Sequence, residues 1–319
     1  MEFFRIHKTI PFMHYSHILN AISLLSFIVA VFWIFYHGLA LSIEFTGGTQ
    51  VVVQYPEAVQ TEQIREQIQS KLGVEAAVQN YGTARDIMIR LPMKEGETSG
   101  QMAGELLKAL QETAPGVKML NNEFVGPQVG EELATDGLTA LLLVVAGIII
   151  YLSMRFEWKF AIAAIIANLH DIVIVVGIFA VMNWEFSLPV LAAVLAVLGY
   201  SVNESVIIFD RVREHFRKMR RAETVEVINS AITATISRTV ITHGSTLAMT
   251  LAMFFFGGPA LHYFALALTI GILLGVYSSV FVAAALAMWL GVKREDLVKG
   301  DKKGGDATDR NDPNFGAQA

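Results

Sequence analysis

The chain has 319 residues, of which 54 % are hydrophobic and 17 % charged, and its mean hydropathy is +0.50. A soluble domain averages about 45–50 % apolar and about 25 % charged residues, so this composition excludes a disordered chain and argues against an ordinary soluble enzyme. Net charge is −5, which gives no basic bias toward nucleic acid, and a chain without cysteine has no disulfide, thiol catalyst or cysteine-ligated metal.

Crossing the hydrocarbon core takes about 20 helical residues. In residues 1–37, Arg5 and Lys8 precede an apolar run from Ile18 to Tyr36. The run has no small-residue cleavage site after it, so it reads as a retained signal anchor and first span. Residues 38–134 are polar enough to form a separate domain. Ile43–Tyr55 contains the β-branched run Val51-Val52-Val53 and ends at Pro56. Thr61 is placed to cap a helix Glu62–Leu72, with Ile64, Ile68 and Leu72 on one face and Gly73 as its stop. Ala76–Tyr81 and Asp86–Leu91 read as two strands joined by a glycine-containing turn. Ser99 is placed to cap a helix reaching Thr113, and Val117–Val125 reads as a last strand. The order βαββαβ predicts a ferredoxin-like α/β domain. Gly126-Pro127 then predicts a break before the membrane.

The remaining spans are predicted over Leu138–Met154 and Phe160–Met182 (within 135–182), Leu188–Phe209 (within 183–209), and Ile236–Phe256 and Tyr263–Leu290 (within 236–290). Continuous apolar runs favour helices over alternating barrel strands. Residues 210–235 read as a basic, amphipathic connection. Residues 291–319, rich in Lys, Asp and Gly, read as a disordered tail. Short loops orient the chain: Arg155, Lys159, the run Arg211–Arg221 and Lys293-Arg294 lie on one side, whereas 183–187 and 257–262 contain no Lys or Arg. By the positive-inside rule both termini are cytoplasmic and 38–134 is external.

Ionisable residues inside spans are expensive, at about 2.5–3.5 kcal/mol even on lenient scales, and by default mark function. Asn203 and Glu204 lie in the fourth span. Gly199, Asn203, Val206 and Asp210 share one face, narrow at Gly199, which suits close helix packing. Glu204 reads as a carboxylate that binds and releases a proton, or as a structural polar group satisfied by its neighbours. Arg238 opens the fifth span at matching depth. It either neighbours Glu204 and modulates its protonation or snorkels to headgroups. His170 and Asp171 in the third span form a possible relay or a polar helix contact, and His243 in the fifth span and Asp210 at the end of the fourth could extend a relay. Asp210 adjoins the basic loop, too shallow to pair easily with Asp171. No catalytic, metal or cofactor motif is present: H-E-x-x-H, a glycine-rich phosphate loop and a G-x-S-x-G elbow are all missing.

Several segments occur together. They are Ile43-Glu44-Phe45-Thr46-Gly47-Gly48-Thr49, Phe124-Val125-Gly126-Pro127-Gln128-Val129-Gly130, Arg155-Phe156-Glu157-Trp158 and His170-Asp171. Gly199-Tyr200-Ser201-Val202-Asn203-Glu204-Ser205 follows and runs into Asp210-Arg211-Val212-Arg213-Glu214, then Ser237-Arg238-Thr239 and Phe256-Gly257-Gly258-Pro259. With these motifs in order, the chain resembles the SecF family, six-span subunits of the bacterial SecDF protein-export complex, along nearly all of residues 10–295. The resemblance implies an α-helical membrane protein of six transmembrane helices, half of an RND-like bundle, with one periplasmic ferredoxin-like α/β domain, in the bacterial inner membrane. It implies a SecD-like six-span partner, association with the SecYEG channel and YajC, and proton-motive-force-driven help to SecA-dependent export substrates. The family's fourth-span acid maps onto Glu204 and its fifth-span arginine onto Arg238. The family pattern commonly has Asp where this chain has Glu204, which keeps the proton chemistry and adds a methylene. Gly47, Gly48, Gly126 and Gly130, at the domain's junctions with the membrane, read as hinges or as plain turn geometry. Two other readings stay open: a scaffold that positions SecD without carrying protons, and half of an RND-type lipid or drug transporter.

Overall fold

A computed structural model describes residues 8–92 and 99–297. Arg5, the side chain of Ser99 and the tail 298–319 lie outside the described residues. After a 3-10 turn at Phe12–Tyr15, α1 (Ser16–Tyr36) buries only Ser16, Ser23 and Ala30. Ile18, Leu24, Leu25, Ile28 and Phe32 stand exposed, as a span facing hydrocarbon requires. There follow β1 (Ala40–Leu41), α2 (Ile43–Thr46), β2 (Gly48–Gln54), α3 (Thr61–Leu72), β3 (Ala77–Tyr81), β4 (Thr83–Leu91), α4 (Ser99–Thr113) and β5 (Lys118–Val125).

The four longer strands form a sheet in the order β3-β4-β2-β5, with each neighbouring pair antiparallel. This is the arrangement that the βαββαβ order calls for. Alternation sets its faces. Val51, Val53, Ile87 and Ile89 point toward α3 and α4, where Ile64, Ile68, Leu106 and Leu110 meet them with at most 1 % exposure. Such burial is worth about 1.5–3 kcal/mol per side chain. Truncating Leu106 to Ala is expected to cost the domain about 2–5 kcal/mol, read as a lowered denaturation midpoint.

The structure corrects two local expectations here. Ile43–Tyr55 is not one strand: Ile43–Thr46 makes a single helical turn, and the strand starts at Gly48. Thr61 is the first residue of α3 and not its cap; Gln60 occupies that place without a side-chain cap bond. Gly73 ends α3 in the left-handed conformation, as expected.

The bundle continues with α5 (Pro127–Arg155), α6 (Trp158–Met182), β6 (Glu185–Phe186), α7 (Leu188–Lys218), α8 (Thr224–Phe256) and α9 (Pro259–Tyr277). A π-helical stretch, Ser278–Ala283, leads from α9 into α10 (Ala284–Trp289), and α11 (Arg294–Leu297) is one turn within the stretch assigned to the tail. Six of these helical rods are long and apolar enough to span a membrane, so the chain is a multi-pass helical membrane protein. The rods α6, α7 and α9–α10 form the buried centre, whereas α1, α5 and α8 leave wide apolar faces exposed. Small residues allow close crossings. A Cβ at Gly177 would lie 2.7 Å from Ala30 Cα, and one at Gly271 would lie 2.6 Å from Val197 Cγ1.

Three span boundaries differ from expectation. Gly126-Pro127 is not a break but the cap and first residue of α5, so the helix starts well before Leu138. Pro suits the first turn because that N–H is unpaired anyway. Residues 210–235 are not a separate connection: α7 runs on to Lys218 and α8 starts at Thr224. Glu214, which accepts from Arg211 and Lys218, supplies the i,i+3 and i,i+4 pairs that carry α7 onward. The last rod begins at Pro259, one turn before Tyr263.

The sheet domain is tied to the bundle at several points. β1 pairs in parallel with β6, which joins the end of α1 to the α6–α7 connection. Glu44 Oε2 accepts the Leu188 N–H at 2.7 Å, satisfying a free donor at the start of α7. Arg90 donates to the Leu41 carbonyl at 2.7 Å and lies 3.6 Å from Glu185. The second face of the sheet, through Gln50, Gln79 and Met88, lines a cleft of about 530 Å³ closed by Glu185, Pro259 and Tyr263. Burial raises the Glu185 carboxyl above its ordinary 4.5; Arg90 opposes this, and Glu44 and Glu123 add to it. A raised acid contributes its full stability below its ordinary value and loses it as pH rises through the folded-state value. Glu185→Gln is therefore expected to gain stability relative to the parent as pH rises from about 4 to about 7, checked by thermal unfolding across that range.

Candidate functional site: polar groups inside the helical bundle

Among the described residues, the apolar bundle holds two buried carboxylates. Glu204 on α7 is 2 % exposed. Its Oε1 accepts the Thr239 hydroxyl of α8 at 2.6 Å, and its Oε2 lies 3.9 Å from His243 Nδ1. That nitrogen is 3.0 Å from the Thr239 carbonyl, which can only accept, so Nδ1 carries a proton. His243 Nε2 is buried without a partner among the described residues. The ring packs edge-on against Tyr200, whose hydroxyl lies 3.1 Å from the Thr242 carbonyl. Glu204, Thr239 and His243 thus form one polar contact between α7 and α8.

Asp171 on α6 has no exposed surface. Its Oδ2 accepts from Ser201 of α7 and from Ser278 of the π-helical stretch, each at 2.6 Å, and its Oδ1 lies 3.1 Å from His170 Nδ1. The Ser23 hydroxyl of α1 reaches His170 Nε2 at 2.5 Å. Four rods therefore meet at one carboxylate–imidazole pair.

Other expected residues fall elsewhere. Glu204 and Arg238 make no ion pair: the neighbouring Thr239 takes the contact, and Arg238 lies on the exposed side of α8. Consecutive helical residues are about 100° apart, so one of the two must turn away. Among the described residues the Arg238 side chain has no hydrogen-bond or ion-pair partner. The face through Gly199 and Asn203 is likewise exposed, and a Cβ at Gly199 would touch nothing, so the packing expected there is not made within this chain. Asp210 does not join Asp171; it bonds Arg155 at 2.5 Å and lies 3.8 Å from Arg213. Sequence reasoning passed over Thr239, Ser201, Ser278 and Ser23. Hydroxyl residues spaced to face an intramembrane acid would have been the signal.

At the domain junction, Gly47 and Gly48 have φ of +67° and +129°. A Cβ at Gly48 would lie 2.6 Å from the Leu91 carbonyl oxygen, and one at Gly130 would lie 2.7 Å from the Gly47 nitrogen. These positions need glycine for backbone geometry and close approach. Gly126 has φ −65° and open space around it, so it needs neither.

Residues 105–293 match the family described as "Protein export membrane protein SecD/SecF, C-terminal", and residues 32–55, which contain Gly47 and Gly48, match the "SecD/SecF GG Motif". The protein translocase subunit SecF of Vibrio alginolyticus is 40 % identical over 298 residues, which cover 93 % of this chain and 95 % of that one. The chain belongs to the SecF family. The Escherichia coli O157:H7 member, named in the same words, is 39 % identical over 303 residues, 94 % of either chain. The crystal structure of SecDF from Thermus thermophilus, a translocon-associated membrane protein, superposes with a TM-score of 0.80 at 34 % identity over 90 % of this chain. This chain spans only 39 % of that SecDF chain. As a SecF-family protein it is a subunit of a protein translocase.

Proposed function

We propose that this subunit couples the proton-motive force to the export of unfolded proteins, and that Glu204 is the group that takes up and releases the proton. The chain then pairs with a SecD-like six-span subunit into a twelve-span RND-like assembly. That assembly works with a SecYEG channel and YajC on substrates delivered by SecA. The observation that carries the reading is the Glu204–Thr239 bond of 2.6 Å, an acid buried between two spans. Ionised, Glu204 accepts the Thr239 hydroxyl. Protonated on Oε2, it keeps Oε1 for Thr239 but turns a new donor toward His243 Nδ1–H, so that side of the α7–α8 contact must rearrange. A state change that binds the proton differently is what coupling requires, and one charge moved through 100 mV supplies about 2.3 kcal/mol.

The exposed Asn203 and Arg238 support a partner at that face, because an unpaired guanidinium within a span calls for an acceptor from outside the chain. The positive-inside pattern supports placement in the bacterial inner membrane with both termini cytoplasmic and the sheet domain periplasmic. Proton uptake by sealed vesicles carrying the assembled complex tests the reading. Glu204→Gln is expected to remove the uptake that this subunit contributes. Unchanged uptake would leave the scaffold reading in its place.

A further inference from the structure

We propose that Asp171 and His170 form a second proton-binding site, separate from Glu204, whose occupancy is read by α7 and by the π-helical stretch. The inference deepens the proton-coupled reading of the bundle.

Asp171 is fully buried, and among the described residues His170 is the one titratable side chain within hydrogen-bond reach of it. The elements packed around the pair bring few other such groups. From α1 come Ser23 and the ring of Phe27, stacked on His170 at 6.2 Å. The last residue of α9, Tyr277, donates to the Leu19 carbonyl of α1. From α7 come Ser201 and, one turn on, Ser205 and Glu204; Glu204 faces Thr239 and His243 instead of Asp171. No arginine or lysine reaches the pair among the described residues. A lone carboxylate there would be an uncompensated charge at membrane depth, whereas a carboxylate and an imidazole can share a proton and stay neutral together.

Hydrogen-bond counting gives the pair its lever. Ionised, Asp171 is an acceptor only, and the Ser201, Ser278 and His170 donors all point at it. A proton bound to Oδ2 must itself donate. One of the two serines, both 2.6 Å from that atom, then becomes the acceptor, and its hydroxyl hydrogen turns away. Ser201 belongs to α7 and Ser278 opens the π-helical stretch. In that stretch consecutive serines serve two contacts: Ser278 meets Asp171, and Ser279 meets Ser205. Such π segments recur at functional positions in helices. Because Ser201 and Glu204 lie one turn apart on α7, a shift there is felt at both acids.

Ser23, His170 and Asp171 also have the atom order of a nucleophile–base–acid set. Ser23 is only 5 % exposed, and a proton, which passes along hydrogen bonds, is a ligand of the size that such a buried set admits.

The test is difference infrared spectroscopy on a pH step, with the complex assembled in lipid. The Glu204→Gln variant is expected to retain a pH-dependent carboxyl band, and adding Asp171→Asn is expected to abolish it. Ser201→Ala or Ser278→Ala removes a bond to the charged carboxylate and is expected to change proton affinity about tenfold toward the protonated form. An identical difference spectrum with and without Asp171→Asn overturns the proposal. Should Asp171→Asn fail to assemble, an unmoved midpoint in both serine variants and in His170→Gln overturns it equally. Failure of the Glu204 reading looks different: Glu204→Gln would then leave vesicle proton uptake intact.

Discussion

Glu204→Gln is expected to abolish proton-dependent export while leaving the subunit folded and assembled. Glutamine keeps the volume and can still accept the Thr239 hydroxyl, so the α7–α8 contact survives in one state. What disappears is the ability to differ between two states. A group with no differential affinity shifts no equilibrium. The drive forfeited is about 2.3 kcal/mol per proton at 100 mV, roughly a fiftyfold population shift. Glu204→Asp restores the acid but withdraws it by one methylene from a hydroxyl now at 2.6 Å. Partial export is expected. Thr239→Val removes the bond that ties the acid to α8 and keeps the acid, so proton uptake should persist while export falls. The measurement is translocation of a reporter protein into inverted vesicles, with and without a proton gradient. Export by Glu204→Gln at the parental rate would defeat the prediction.

The second large effect is expected at the junction. Gly48→Val places a branched side chain at φ +129° with its Cβ 2.6 Å from the Leu91 carbonyl oxygen. The backbone strain alone is of order 1–3 kcal/mol, and the clash with a β4 carbonyl adds to it. The four-stranded sheet starts at this residue, since Gly48 opposes Val125 and Thr49 opposes Leu91. Limited proteolysis should therefore release the sheet domain readily while the membrane rods stay protected. Export should fail although Glu204 is untouched. Gly126→Ala, at an open position with ordinary φ, is the control expected to behave like the parent.

Much of the architecture was legible in the amino-acid sequence because spans and strands announce themselves by period. The apolar rods, the βαββαβ order and the left-handed stop at Gly73 rest on local chemistry. The misreadings share a cause: a residue's neighbours along the chain do not say who meets it across space. Arg238 and Thr239 have equal claim to Glu204 by depth, and only the rotation of α8 decides between them. The face of Gly199 and Asn203 reads as packed from its composition, yet nothing in this chain covers it. At the C-terminal end of α7 and the N-terminal end of α5, charged residues hid helix that hydropathy ends too soon: the Arg211–Glu214–Lys218 pairs in the first, and Glu131, Glu132 and Asp136 in the second. The hydroxyls around the His170–Asp171 pair come from α1, α7 and the π-helical stretch, separated by up to hundreds of residues, and no pattern in one sequence links them.

Glu44 and the β1–β6 pairing have a mechanical consequence. The sheet domain is clamped to the head of α7, the rod that also carries Glu204, and does not hang from flexible cords. A screw motion or tilt of that rod therefore tips the whole domain as a handle tips with its shaft. Displacement generated deep in the bilayer would arrive enlarged at the domain's far edge, with no separate linkage to carry it.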